Sequence, residues 1–289
     1  LEMDTASWRF LADDPQAEEY VGATVHLGEL GSWHNVGVRF KGYYGSLRGC
    51  FRRWGSSGRT LEGSSCNKLS MKLKFNFVDH SQRFFGLKKI MLHASLTDTS
   101  LMRERLAYSL FREMGVAAPR SAHIYGHLRL SDTGRTQPLG LYLLTEQIDG
   151  RFTDTYFRGG DNNVWKEAWP GLERSEYEYL LETNEHTADT SRFEEFGAAL
   201  EAAATDWDLV RVATQYMKVG SVARYWAVDR AIEHWDGPVN FRDDFTRGGQ
   251  GFYWNHNYFM TESDDGDDQS SSQFWIVPWD MDGTFPENP

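Results

Sequence analysis

The sequence predicts an α+β chain of two lobes: a β-rich first lobe with one helix over residues 1–149, and a mainly helical second lobe over residues 150–289. Three observations lead there. Alternating β-favouring segments crowd the first half, helical stretches follow one another between residues 172 and 234, and the composition supports a large core. With 40% hydrophobic and 15% aromatic residues, including 11 Trp, the chain has ample apolar surface to bury.

From Tyr20 to Lys41, β-favouring residues alternate around a Gly-Ser turn and predict a hairpin. Residues 42–66 mix Gly, Ser and Arg without a period and predict a long loop. In residues 67–77, Leu69, Met71, Leu73 and Phe75 share one parity while Lys68, Ser70, Lys72 and Lys74 share the other. That is a half-buried strand with lysines along one face. Residues 97–115 open with an Asp/Ser cap signal and end at Gly115, a helix signature. Its broad apolar face, Tyr108 and Phe111 with Leu106, Leu110 and Met114, is expected to pack across a sheet. Residues 121–130 and 139–148 predict two further strands. Beyond Asp149, residues 175–184, 191–205 and a long run over 208–234 predict helices, and aromatic strands over 251–285 flank an acidic insert at 264–268.

Thirty Lys plus Arg against 42 Asp plus Glu leave a net charge of −12, which repels nucleic-acid phosphates and anionic lipid. No nucleic-acid partner is expected. No apolar run reaches the roughly 18–20 residues of a membrane span. The abrupt start at Leu1 suggests a mature or trimmed chain. Cys50 and Cys66 either close one loop or stand as two thiols. His123, His127 and His186 lack the spacing of a zinc site.

The chemistry concentrates in three short motifs rich in carboxylate and carboxamide: His234-Trp235-Asp236-Gly237, His256-Asn257-Tyr258-Phe259 and Trp279-Asp280-Met281-Asp282-Gly283. All offer hard oxygen ligands. Two aspartates at i and i+2 on an extended strand would point the same way, toward magnesium. A lysine-bearing strand, a helix and then Asp, Asn and Asp motifs is the order of parts of kinase-type phosphoryl-transfer enzymes. In that arrangement Lys72 or Lys74 contacts the α- and β-phosphates with Glu104 holding the lysine, and backbone groups of Glu146 and Gln147 meet adenine. The alternative for the lysines is a solvated strand face.

Together, VRFKG at 38–42, KLSMKLKF at 68–75, LMRERLAYSLFREMG at 101–115, GLYLLTEQIDGRF at 140–152, HWDG, HNYF and PWDMDGTF at 278–285 resemble the CotH family. These are secreted or spore-coat atypical protein kinases. The resemblance implies a two-lobed protein kinase-like fold and transfer of the ATP γ-phosphate to Ser or Thr of a secreted or surface protein, with Mg²⁺ or Mn²⁺. It implies Asp236 as the catalytic residue, Asn257 and Asp280 as metal ligands with Asp282 nearby, and an extracytoplasmic location. Where the family usually has Gly-Asn-Ser-Ser after Lys-Gly, this chain has Tyr43-Tyr44-Gly45-Ser46 and a long Arg-rich loop. The alternative function is therefore a catalytically degenerate adhesin or scaffold module.

Overall fold

The computed structural model describes the chain except for residues 43–46, 52–59, 67, 161, 172–173, 240–241, 245–251, 255, 265–271 and 287–289. The Tyr43–Ser46 segment, the Arg-rich loop and most of the acidic insert lie outside the described residues. The chain forms two compact units, Leu1–Met102 with Arg120–Gln147, and Arg103–Pro119 with Ile148–Pro289.

The first unit is a closed barrel of seven strands: β1 (Glu2–Met3), β2 (Val21–His26), β3 (Ser32–Phe40), β4 (Met71–Lys74), β5 (Lys89–His93), β6 (Ser121–Leu130) and β7 (Thr136–Glu146). Their order around the barrel is β1-β2-β3-β4-β5-β7-β6. Closure rests on a two-residue strand, because Glu2 pairs antiparallel with Thr24 of β2 and parallel with Arg129 of β6. A segment that short has no period to read, so the sequence predicts a β-rich lobe without showing that it closes. Asp4 caps the following helix, α1 (Thr5–Asp13), by accepting from the Ser7 amide at 2.6 Å. The predicted hairpin and alternation are present: Met71, Leu73 and Phe75 are buried while Lys72 and Lys74 are half-exposed. A short helix, α2 (Leu47–Cys50), ends at a disulfide between Cys50 and Cys66.

The second unit holds α3 (Arg103–Glu113), α4 (Gly150–Tyr156), β8 (Val164–Lys166), α5 (Arg174–Tyr179), α6 (Ser191–Glu201), α7 (Asp206–Tyr216), α8 (Val219–Ala231), and strands β9 (Arg242–Asp244), β10 (Phe252–Trp254), β11 (Tyr258–Ser263) and β12 (Gln273–Pro278). Strands β12, β11 and β8 form an antiparallel sheet in that order, and β9 pairs with β10. An aromatic core packs on the sheet: Trp165 stacks on Phe193 at 5.1 Å, and Phe196 stacks on Tyr216 at 5.0 Å and on Phe274 at 5.7 Å.

The two-lobed protein kinase-like fold with a mainly helical second lobe is thus corrected to a mixed α+β chain. One unit closes into a barrel, and the other is organised on a sheet whose central and edge strands come from sequence positions nearly a hundred residues apart. Helix α3 starts six residues late because Asp98 accepts from the Ser100 amide and hydroxyl, making a separate turn, and Leu101 is left-handed at φ 57°. Its buried face is Glu104, Ala107, Tyr108 and Phe111, whereas Leu106, Leu110 and Met114 are exposed. It packs on α8 and on the 3₁₀ turn Met281–Gly283. The long predicted helix over 208–234 breaks at Met217–Lys218, where the Lys218 amide donates to the Phe274 carbonyl of β12.

The barrel unit carries the disulfide, so replacing both cysteines by serine is expected to lower its unfolding free energy by about 3 kcal/mol. Denaturant titration of the double variant beside the wild type measures it; equal midpoints would show that the bond adds nothing to stability.

Candidate active site

The His234–Gly237 segment follows α8 and is wrapped around a buried carboxylate. Asp229, fully buried, accepts from Arg230 Nη2 at 2.7 Å and lies 2.8 Å from His234 Nδ1; Arg230 also donates to the His234 carbonyl at 3.1 Å. A buried charge is tolerable only with such partners. The turn is so close to them that a Cβ on Gly237 would lie 2.5 Å from His234 Nδ1 and 2.9 Å from Asp229 Oδ1. Asp236 is thereby presented half-buried on a tightly held turn. Asn257 Nδ2 donates to its backbone carbonyl at 3.0 Å and to its Oδ2 at 3.1 Å.

Asn257 sits where β11 begins and Asp280 lies two residues beyond β12, so the pairing of Tyr258 with Pro278 brings both to one end of the sheet. The Trp279 amide donates to the Asn257 carbonyl at 3.0 Å. Glu167, following β8, joins them by accepting from the Asn257 amide at 3.0 Å and lying 3.5 Å from His256 Nδ1. Although burial pushes the Glu167 carboxyl upward, hydrogen bonds from His256 and the Asn257 amide hold it below its usual range, and the His256 imidazole is raised in turn by Glu167. Glu167, Asn257 and Asp280 have φ of 56°, 63° and 54°. Asn and Asp tolerate the left-handed region better than most residues, and such backbone strain clusters at functional sites.

Because β12 ends at Pro278, Asp280 and Asp282 are not an i, i+2 pair on an extended strand. Asp280 is left-handed and Asp282 lies in the 3₁₀ turn Met281–Gly283. This turn reaches Asp236: the Trp235 amide donates to the Gly283 carbonyl at 3.3 Å, and a Cβ on Gly283 would stand 3.5 Å from Asp236 Cβ. On α3, the Tyr108 hydroxyl donates to Glu104 Oε1 at 2.8 Å and accepts from the Asp280 amide at 3.1 Å. One carboxylate oxygen of Glu104 and one of Asp280 lie within 4.8 Å of each other. Burial, reinforced by the negative charge of Glu104, holds the Tyr108 phenol well above its ordinary range, so it stays protonated.

The remaining predicted residues belong to the barrel unit or its end. Lys72 faces Arg39 and Met91 across β4, and Lys74 faces Gly37 and Lys89, with its ammonium 5.8 Å from the Tyr20 ring centre. Lys68 is turned to the barrel, donating to the Leu141 carbonyl over the Tyr142 ring, and its burial lowers its pKa. Glu146 is buried and holds Arg120 in a bidentate pair, Nη2 to Oε1 at 2.5 Å and Nε to Oε2 at 3.0 Å. Gln147 is buried at the last position of the unit. The sequence shows no sign of Glu167 or Asp229, places Tyr108 only on an apolar helix face, and carries no polar role for His234 or for Lys41, whose ammonium lies 2.8 Å from His93 Nε2. Tyr108 is one helical turn from Glu104, a spacing that could have flagged it; Asp229 is five residues before His234, which lies past the end of α8, and neither it nor Glu167 carries a local signal.

The donor set suits a divalent cation. The Asn257 amide nitrogen is taken by Asp236, which leaves its oxygen as the ligating atom, and Asp280 and Glu104 bring carboxylate oxygens within 4.8 Å of each other. A family model for CotH kinase proteins matches residues 38–288, and the chain belongs to that family. No curated protein matches it.

Gly237→Ala tests the turn. The added methyl is expected to displace His234 or Asp229 and lower stability by about 1–3 kcal/mol, read by thermal unfolding. A variant as stable as wild type would show that the turn can relax away from the buried pair.

Proposed function

We propose that the chain is a protein kinase that transfers the ATP γ-phosphate to a Ser or Thr hydroxyl of a secreted or surface protein. The observation that carries this reading is the convergence of Asp236, Asn257 and the Asp280–Gly283 turn: Asn257 donates to Asp236, the Trp235 amide beside Asp236 donates to Gly283, and the Trp279 amide before the turn donates to Asn257. Asp236 orients the substrate hydroxyl and accepts its proton as the oxygen bonds to the γ-phosphorus and the bond to the ADP oxygen breaks. Asn257, Asp280 and Asp282 would hold Mg²⁺ or Mn²⁺, which supplies charge neutralisation for the phosphates. Lys72 or Lys74 serves the α- and β-phosphates, with Glu104 as its partner, and the backbone at Glu146 and Gln147 serves adenine. The family membership supports phosphotransfer.

Asp236→Ala is expected to lower kcat about 10²- to 10⁴-fold with little change in ATP affinity, because its contribution is concentrated in the transition state. Asp280→Ala should also weaken metal-dependent ATP binding; Asp280→Asn is the shape-preserving control. Calorimetry with ATP and Mg²⁺, beside mass spectrometry of modified protein substrate, separates the roles. If the wild type neither binds ATP·Mg²⁺ nor adds a phosphoryl mass to itself or to secreted proteins, the scaffold reading replaces the kinase.

An extracytoplasmic location belongs to the same proposal. It draws support from the Cys50–Cys66 disulfide, since such bonds persist in oxidising compartments. Among the described residues no helix is long and apolar enough to cross a membrane. Fractionation of native cells with thiol trapping checks it: the expected result is oxidised protein outside the cytosol, and reduced protein confined to the cytosol would reject the location.

A further inference from the structure

We propose that Tyr108 is a positioning residue whose hydroxyl sets the backbone of Asp280 and thereby the metal-binding geometry of the turn that follows. The inference rests on the reading of Asp280 as a metal ligand and goes beyond it in assigning how that ligand is aimed. The hydroxyl is fully buried, donates to Glu104 Oε1 at 2.8 Å and accepts from the Asp280 amide at 3.1 Å.

The direction of both bonds is dictated by chemistry. The Asp280 amide can only donate and the Glu104 carboxylate can only accept, so a single hydroxyl, with one proton and spare lone pairs, is the group that can join them. Main-chain pairing stops just before this point: Pro278 is the last residue of β12 in register, and the Trp279 amide is used by Asn257. The Asp280 amide is therefore the first beyond the ladder, on a residue in the left-handed conformation with φ 54° and ψ 56°. Without this acceptor the amide, in a part-buried position, would lose its protein partner, and the chain would have reason to leave that conformation. With Tyr108 in place, Glu104 on α3 and Asp280 beyond β12 are tied through one oxygen, and their carboxylates are kept within 4.8 Å.

Tyr108→Phe keeps the ring and removes only that oxygen. Two readouts test the proposal: site-resolved amide hydrogen exchange without metal, and Mn²⁺ affinity by calorimetry. The Asp280 amide should exchange at least tenfold faster in the variant, and Mn²⁺ should bind about tenfold more weakly, while amides in β11 stay protected. Equal Asp280 exchange and equal Mn²⁺ affinity in a folded variant would overturn the proposal. Wild-type protein that binds no Mn²⁺ would instead overturn the metal reading on which it rests, and the aiming role with it. If Tyr108→Phe does not fold, the wild type decides: an Asp280 amide protected like the β11 amides sustains the bond, and one that exchanges like an exposed loop removes it.

Discussion

The antiparallel pairing of β11 with β12 is the constraint on which the candidate site depends. It runs from Ser263 opposite Gln273 to Tyr258 opposite Pro278 and ends with the Trp279 amide on the Asn257 carbonyl. Asn257 and Asp280 leave the sheet at the same end for that reason, and β8 delivers Glu167 there through its own pairing with β11. A slip of one residue would turn every side chain to the opposite face and separate the donors. The left-handed backbone at Glu167, Asn257 and Asp280 marks where the chain turns out of the sheet.

Three buried carboxylates show how the molecule tolerates charge out of water. Asp229 is met by Arg230 and His234, Glu146 by the fork of Arg120, and Glu104 by the Tyr108 hydroxyl. Each leaves its carboxylate in one geometry, because a lost partner would strand a charge in a low-dielectric interior. For Asp229 this rigidity passes directly to Asp236 through the turn that Gly237 keeps close. For Glu104 it passes to Asp280. Side chains that do no chemistry themselves therefore set where the oxygen donors stand.

The barrel follows a different logic. Its β4 strand buries Met71 and Leu73, with Phe75 buried just beyond it, and leaves Lys72 and Lys74 half-exposed on the other face, so the apolar residues drive closure. The short β1 strand completes the ring by hydrogen bonding on both sides, which satisfies the free edges that β2 and β6 would otherwise present.

The alternation in β4, the hairpin of β2 and β3, the strands β6 and β7 and the end of α3 at Gly115 were legible because their signals are local: period, turn residues and caps. The motifs holding Asp236, Asn257, Asp280 and Asp282 were legible too, since oxygen-rich clusters stand out against apolar neighbours. Closure of the barrel by Glu2 and Met3 was not, nor was the sheet that joins residues 164–166 to 258–263. Such pairings are made between distant segments, and their specificity lies in hydrogen bonds that every backbone can form. Which residues could donate oxygen follows from residue identity alone. That Asp280 is left-handed rather than extended, and that a buried tyrosine reaches its amide, is set by long-range packing, because both depend on where β12 ends against β11 and on how α3 packs beside the turn.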